Sequence, residues 1–176
     1  MNAVHTASQL QVDLQIAADK PDVPDGADWE AWVGAALSAA GRVASGIVTV
    51  RLVTEDESAA LNLSFRDKPG PTNVLAFSGP GEVMSHAAAG VMVEAELGDL
   101  VICLPVACRE ADEQGKPTIA HLAHLVVHGT LHLLGYDHQQ EVDAERMEYL
   151  ETRVLGGLGF ADPYATDEQT NDKKHE

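Results

Sequence analysis

The feature that most constrains this 176-residue chain is a group of five histidines between positions 121 and 138. His128 and His132 are four residues apart, so on a helix they share one face and lie about 6 Å apart along its axis. Two imidazoles at that spacing can bind one metal ion at about 2.1 Å each. The segment therefore predicts a helix over residues 118–134 that carries two metal ligands.

The third ligand must come from outside this helix. His124 falls on the same face, but it would lie about 12 Å from His132 along a straight helix, too far for one ion to bind both. Gly135 can end the helix through a left-handed turn, after which His138 is the nearest candidate. His121 and His124 are interpreted as core residues or as supports for the ligands. Three neutral imidazoles leave a fourth position open, which is typical of catalytic zinc sites.

The residue after the first ligand argues against peptide chemistry. Zinc peptidases of the H-E-x-x-H kind use the Glu after the first His as general base, and this chain has Gly129 there. A phosphodiester would instead need positive charge near its oxygens, and Arg66 and Lys68 lie in a loop bracketed by Pro and Gly. The alternative interpretation of Arg66 is an ordinary solvated surface charge.

Composition limits the class of protein. The formal charge of −17 argues against nonspecific nucleic-acid binding, which depends on Lys and Arg. Residues 31–136 nevertheless carry six basic and eleven acidic residues, so the centre of the chain could present a local basic pocket. With 45% apolar residues, two cysteines, no long apolar run and no signal-like N-terminus, we expect a folded cytoplasmic protein that does not span a membrane.

Periodicity and turn residues predict strands interspersed with helices. Strands are expected near residues 11–17, 47–53, 73–77 and 98–104, and helices near 29–40, 54–65, 105–115, 118–134 and 140–155. This alternation predicts an α/β or α+β domain with one mixed sheet. The domain is expected to occupy residues 1–165, followed by a polar, disordered tail at 166–176. Residues 78–96 have no clear pattern.

Two helices carry more specific predictions. Thr54 and Glu57 have the form of a capping box, and the helix that they open is expected to turn Ala60, Leu61 and Leu63 inward. The acidic stretch 141–151 is interpreted as the solvated face of the last helix.

Residues 128–138, HGTLHLLGYDH, resemble the signature of the YbeY family, bacterial endoribonucleases involved in ribosomal RNA maturation. The family pattern H-G-x-L-H-L-x-G-Y-D-H is matched at every fixed position. A second family pattern, R-x-K-x-x-P-T followed by V-L-x-F, is matched from Arg66 to Phe77. Gly98-Asp99 and Leu158-Gly159-Phe160 also fit, so the resemblance covers about residues 10–165.

The resemblance implies a compact α/β domain, related in shape to metalloproteases, whose four-stranded mixed sheet is flanked by helices. It assigns His128, His132 and His138 as ligands of one Zn²⁺, and Arg66 as the catalytic residue that holds the phosphate. The implied activity is a zinc-dependent endoribonuclease that favours single strands in ribosomal RNA maturation and ribosome quality control. The implied partners are ribosomal RNA, the small ribosomal subunit, and an assembly GTPase or a small-subunit ribosomal protein.

Two alternatives stay open. A metallopeptidase could use the same three histidines, although Gly129 removes its expected base. A ribosome-assembly factor without catalytic activity could use zinc only to hold the chain that follows Gly135. Segment 78–96 is longer than the resemblance leads us to expect, and it could change which RNA or partner is admitted.

Overall fold

The computed structural model describes residues 9–19, 23–81 and 95–165. In these ranges the elements follow in the order β1 (Leu10–Ile16), α1 (Gly26–Ala39), β2 (Gly46–Val53), α2 (Glu55–Arg66), β3 (Val74–Gly81), β4 (Glu96–Cys103), α3 (Leu104–Glu113), α4 (Thr118–Leu133) and α5 (Glu141–Gly157). Among the described residues, no helix is long and apolar enough to cross a membrane. The expected tail at 166–176 and most of segment 78–96 lie outside the described residues.

The four strands form one mixed sheet in the order β1-β2-β4-β3. β2 pairs in parallel with both β1 and β4, whereas β3 runs antiparallel to β4. The α/β class and the mixed sheet predicted from the sequence are therefore confirmed. β3 continues past the expected 73–77 to Gly81, into the start of the segment for which the sequence showed no pattern.

Each face of the sheet has its own core. Val50 and Leu52 of β2 point to the larger core, which also contains residues of α1, α4 and α5. Val53 of β2 and Val101 of β4 point to the smaller core on the other face, where Leu61 of α2 packs. The two helices that carry the predicted site residues, α2 and α4, therefore lie on opposite faces of the sheet.

Aromatic contacts attach α1 to the end of α5. Trp29 and Trp32 are buried, with their ring centroids 5.1 Å apart in an edge-to-face arrangement. Trp32 also meets Phe160, which follows α5, at 6.2 Å. The indole N–H of Trp29 donates to the carbonyl of Pro24 at 3.0 Å, so its one polar atom is satisfied although the ring is buried. These contacts hold α1 and α5 on the face that carries α4.

The inward face of α2 differs from the prediction. Leu63 is 55% exposed, and the buried residues of this helix are Ser58 and Asn62. Ser58 Oγ donates to the carbonyl of Thr72 and accepts from its N–H, while the Asn62 amide donates to the carbonyl of Gly70. Ala60 is exposed as well. The predicted burial of Ala60 and Leu63 was wrong because α2 packs against the loop that follows it, whose buried backbone groups need polar partners.

Candidate metal centre

α4 ends where the sequence predicts. Its C-cap is Leu134, and Gly135 follows with a φ of +91°. The N–H of Gly135 donates to the carbonyl of His132, and the N–H of Tyr136 donates to the carbonyl of Leu131. This pair of hydrogen bonds defines a Schellman motif, which favours glycine at its left-handed position. The chain therefore turns back beside α4 immediately before His138.

Three histidine side chains converge at this turn. The Nε2 atoms of His128 and His132 are 3.1 Å apart, and a ring nitrogen of His138 lies within 4.8 Å of a nitrogen on each. A tetrahedral zinc with bonds of about 2.1 Å holds its ligand nitrogens about 3.4 Å apart, so the set fits one ion after small movements. Asp137 Oδ1 accepts from the backbone N–H groups of His138 and Gln139 at 2.7 and 3.2 Å and so holds the turn.

The environment of His132 favours the neutral imidazole. Burial lowers its pKa below the ordinary 6.5, and the neighbouring rings of His128 and His138 lower it further. Because a metal ligand must be the unprotonated form, this direction favours metal binding at neutral pH.

Glu151 of α5 is a site residue that the sequence analysis missed. Its side chain is fully buried, at 0% exposure, rather than on the solvated face predicted for residues 141–151. Oε1 accepts a short hydrogen bond from His128 Nδ1, and Oε2 accepts one from the Tyr164 hydroxyl. Oε2 also lies 3.4 Å from His124 Nε2. A buried carboxylate thus joins a predicted metal ligand to two supporting side chains.

This carboxylate fixes the tautomer of His128. Burial opposes the ionisation of Glu151, but the hydrogen bonds from His124, His128 and Tyr164 outweigh it and lower its pKa to about 2. Burial and the same carboxylate raise the pKa of the Tyr164 hydroxyl. Because a carboxylate can only accept, His128 Nδ1 must donate, which leaves the lone pair on Nε2 directed toward His132. That is the orientation a metal requires.

The spacing of apolar residues along α5 could have predicted that Glu151 faces inward. Glu151 lies four residues after Met147 and four before Leu155, and both of these residues are buried. The solvated interpretation was wrong because acidic residues are rarely buried without partners, and the partners here come from another helix. α4 supplies them in the form of His124 and His128.

A second set of atoms also meets the distance requirement for a metal. His124, His128 and Glu151 each place one ligand atom within 4.8 Å of the others. In this set, however, the carboxylate oxygens accept hydrogen bonds from the ring nitrogens, so protons occupy the space that an ion would need. The set formed by His128, His132 and His138 stays the predicted one, with His124 predicted to support it.

Gly129 faces the sheet rather than the metal. A Cβ atom at this position would lie 2.8 Å from Leu100 Cδ2 and 3.5 Å from Val74 Cγ2. Leu100 is fully buried, so a glutamate side chain would have to displace close-packed core. The general base of an H-E-x-x-H peptidase therefore has no room at this position.

Arg66 is the exposed last residue of α2, where the helix dipole favours a cation. The structure does not bring it into contact with the histidines, which lie on the other face of the sheet. Neither Arg66 nor Lys68 forms an ion pair with another described residue, whereas Arg51 and Arg109 are paired with glutamates of α2. The charges of Arg66 and Lys68 are thus available to a ligand.

The chain is similar to known proteins. A family model described as "Endoribonuclease YbeY" matches residues 15–159. The chain belongs to the YbeY endoribonuclease family. Endoribonuclease YbeY of Alcanivorax borkumensis is 48% identical over 100% of this chain and 97% of the relative, and that of Alkalilimnicola ehrlichii is 50% identical over 95% and 98%. A solution structure from Thermotoga maritima covers 89% of this chain and 100% of its own, with 24% identity and a TM-score of 0.49.

The family match confirms two expectations from the sequence. One is the resemblance to the YbeY family, and the other is endoribonuclease as the class of enzyme. The four-stranded mixed sheet that the resemblance implied is present in this YbeY chain. Its histidine cluster could hold a metal ion. The ligand set and the role of Arg66 stay predictions.

Proposed function

We propose that this YbeY chain is a zinc-dependent endoribonuclease that cleaves single-stranded ribosomal RNA during ribosome maturation and quality control. The convergence of His128, His132 and His138, in a family named for endoribonuclease activity, is the observation that carries the proposal. Zn²⁺ bound by these three residues would supply Lewis acidity toward a phosphoryl oxygen and acidify water. His138 is exposed, so the site is open to a long polymer.

The remaining side chains of the site position the ligands. Glu151 holds the His128 ring through Nδ1, and His124 and Tyr164 in turn contact Glu151. Partners of this kind reduce the movement that a ligand must make and raise its basicity. The ligand nitrogens would therefore need only small movements to bind an ion.

Arg66 is proposed to hold a phosphate of the same RNA strand, and the edge strand β3 joins its position to the histidines. Phe77 of β3 packs against Phe65, the neighbour of Arg66, with ring centroids 5.0 Å apart. The next residue, Ser78, donates to the carbonyl of Leu133 at the end of α4. An RNA strand that crosses β3 could therefore meet Arg66 on one side and the metal site on the other, with Arg66 neutralising a phosphate charge.

The peptidase alternative has less support because Gly129 packs against Leu100 and leaves no room for the usual glutamate base. The alternative of a non-catalytic assembly factor does not use the fourth coordination position that three histidines leave open. The proposed partners are ribosomal RNA and the small ribosomal subunit, with an assembly GTPase or a small-subunit ribosomal protein as a further partner. The proposed place of action is the cytoplasm.

Metal analysis combined with RNA cleavage tests this function. The wild-type protein is expected to contain one zinc per chain and to cut a single-stranded RNA, and His128→Ala should lose both properties. Removing the metal with a chelator should abolish cleavage, and added zinc should restore it. Cleavage that survives in His128→Ala, or a wild-type protein without zinc affinity, would contradict the proposal. Peptide cleavage with RNA left intact would favour the peptidase.

A further inference from the structure

Phe65, near the end of α2, is a large apolar side chain that the core does not cover. It lies one helical turn after Leu61, which packs against the smaller core, so it continues the same face of α2 past that core. β3 is an end strand of the sheet, so among the described residues no further strand extends the sheet under Phe65. Phe65 is 66% exposed, and most of its ring surface is therefore open to a ligand.

Phe77 of β3 holds the Phe65 ring in place. Phe77 is half-buried and packs against the smaller core, so the sheet fixes its position. The two rings meet edge to face at an interplanar angle of 67°, which is a favourable arrangement for an aromatic pair. A ring held in this way loses little side-chain entropy when a flat ligand stacks on it. We call Phe65 and Phe77 together the stacking platform.

Two basic side chains lie beside the stacking platform. Arg66 follows Phe65 directly, with the two Cα atoms about 3.8 Å apart, and Lys68 is exposed in the next loop. Asp67 lies between them, but no described carboxylate is within ion-pair distance of either cation. The chain as a whole has a formal charge of −17, so a second copy would be repelled. An anionic ligand with flat rings matches this surface better.

The stacking platform lies across the edge of the sheet from the proposed metal centre. A Cβ atom on Gly98 of β4 would clash with the carbonyl oxygen of Phe77 and lie 2.8 Å from Leu133 Cδ2. The end of α4, where His132 precedes Leu133, therefore packs against the sheet at the level of Phe77. Successive side chains of a strand point to opposite faces, so Phe77 points away from the histidines while its backbone lies beside them.

We propose that the stacking platform binds a base of single-stranded RNA whose phosphate is held by Arg66. Proteins that bind single strands combine aromatic faces, on which the bases stack, with cations that follow the phosphates. Phe65 and Arg66 provide one of each on adjacent residues, which matches the base and the phosphate of one nucleotide. Stacking needs no base-specific hydrogen bond, so the platform accepts any base that is not paired. This assignment rests on the proposed function, since it supposes that the chain binds RNA.

The binding of two RNA analogues tests the stacking platform. One is a 2′-O-methyl oligouridine of about eight nucleotides, and the other is the same sugar–phosphate chain without bases. Both carry the same charge, and each is titrated against the zinc-loaded protein by fluorescence anisotropy. We expect the wild type to bind the oligouridine about tenfold more tightly than the abasic chain, within the range that stacking on one aromatic side chain provides.

Three variants separate stacking from a change in structure. Phe65→Leu keeps an apolar side chain but removes the aromatic face, so the ratio of the two affinities should fall to within about twofold while the abasic chain binds as before. Phe65→Trp should keep the ratio, and the oligouridine alone should quench its exposed indole. Tyr149→Leu removes an aromatic side chain that is 61% exposed on α5, and it should keep the full ratio. Thermal melting establishes that each variant is folded.

Equal affinity of the wild type for the two analogues would overturn the stacking platform. Phe65→Leu that weakens both analogues equally would overturn it too, because the loss would come from displacement of Arg66. Self-association that the wild type shows and Phe65→Leu lacks, without preference for the oligouridine, would assign this surface to a second copy instead. RNA cleavage by a wild type that does not distinguish the analogues would refute the platform and leave the nuclease function intact. Preference for the oligouridine without any cleavage would support the platform and contradict the proposed function.

Discussion

Replacing Glu151 with Gln tests whether the buried carboxylate orients the metal site. The substitution keeps the shape of the side chain and one acceptor oxygen, but it removes the charge that the three neighbouring side chains contact. The amide can also present its NH₂ group to His128 Nδ1, which would favour the wrong tautomer of that ring. We therefore expect zinc to bind more weakly although the three ligands are unchanged.

The size of the effect follows from the contacts. A hydrogen bond to a charged group contributes about 1 kcal/mol more to the free energy of unfolding than a hydrogen bond to a neutral group does. The three contacts of Glu151 together therefore limit the loss of stability in Glu151→Gln to about 3 kcal/mol. Only the contact with His128 acts directly on a ligand, and about 1 kcal/mol corresponds to about fivefold in zinc affinity. Replacement of such supporting residues in other zinc sites costs about 10- to 100-fold. A loss between about fivefold and 100-fold is therefore expected for Glu151→Gln.

The assay is a competitive zinc titration with a chromophoric chelator at pH 7, together with urea unfolding of the metal-free protein. Glu145→Gln is the matched control, because Glu145 is an exposed glutamate on the same helix. The control should leave both zinc affinity and unfolding free energy close to those of the wild type. If Glu151→Gln binds zinc as tightly as Glu145→Gln does, the carboxylate does not orient His128 and the reasoning is refuted.

Three other predictions concern the phosphate, the turn and the response to acid. Arg66→Ala should lower kcat/KM for RNA by about 100-fold if the guanidinium stabilises developing charge. The control Arg153→Ala, at an exposed position of α5, should leave kcat/KM within about twofold of the wild type. Equal kcat/KM values for the two variants would refute the role of Arg66 in binding the phosphate. Gly135→Ala should cost about 1–2 kcal/mol in urea unfolding and weaken zinc binding, because its φ is +91°. Gly156→Ala, in helix α5 with open space at its Cβ, should not destabilise, and similar losses in both variants would contradict the turn argument. As pH falls from about 4.5 toward 2, the metal-free wild type should lose more stability than Glu151→Gln, because a carboxyl with a lowered pKa stabilises the fold only while ionised. Urea titrations across this pH range measure the difference, and parallel curves would count against it.

The parts of this protein that sequence analysis predicted correctly depend on local rules. The spacing of His128 and His132 is a property of any α-helix, and Gly135 ends α4 because a left-handed residue can close a Schellman motif. The order of strands and helices follows from periodicity over short segments, and it was enough to predict one mixed sheet. In each case the physical cause lies within a few residues of the feature.

The tertiary structure decided what depends on contacts between distant segments. From the sequence of its own helix alone, Glu151 is predicted to be a solvated acid. Its burial is stable only because α4 brings His124 and His128 to it. Leu63 is exposed because the loop after α2 requires the polar residues of that helix. The sequence by itself thus predicted which histidines are candidate metal ligands. The packing of α5 on α4 decided how they are oriented, because a buried charge can be placed only where another element satisfies it.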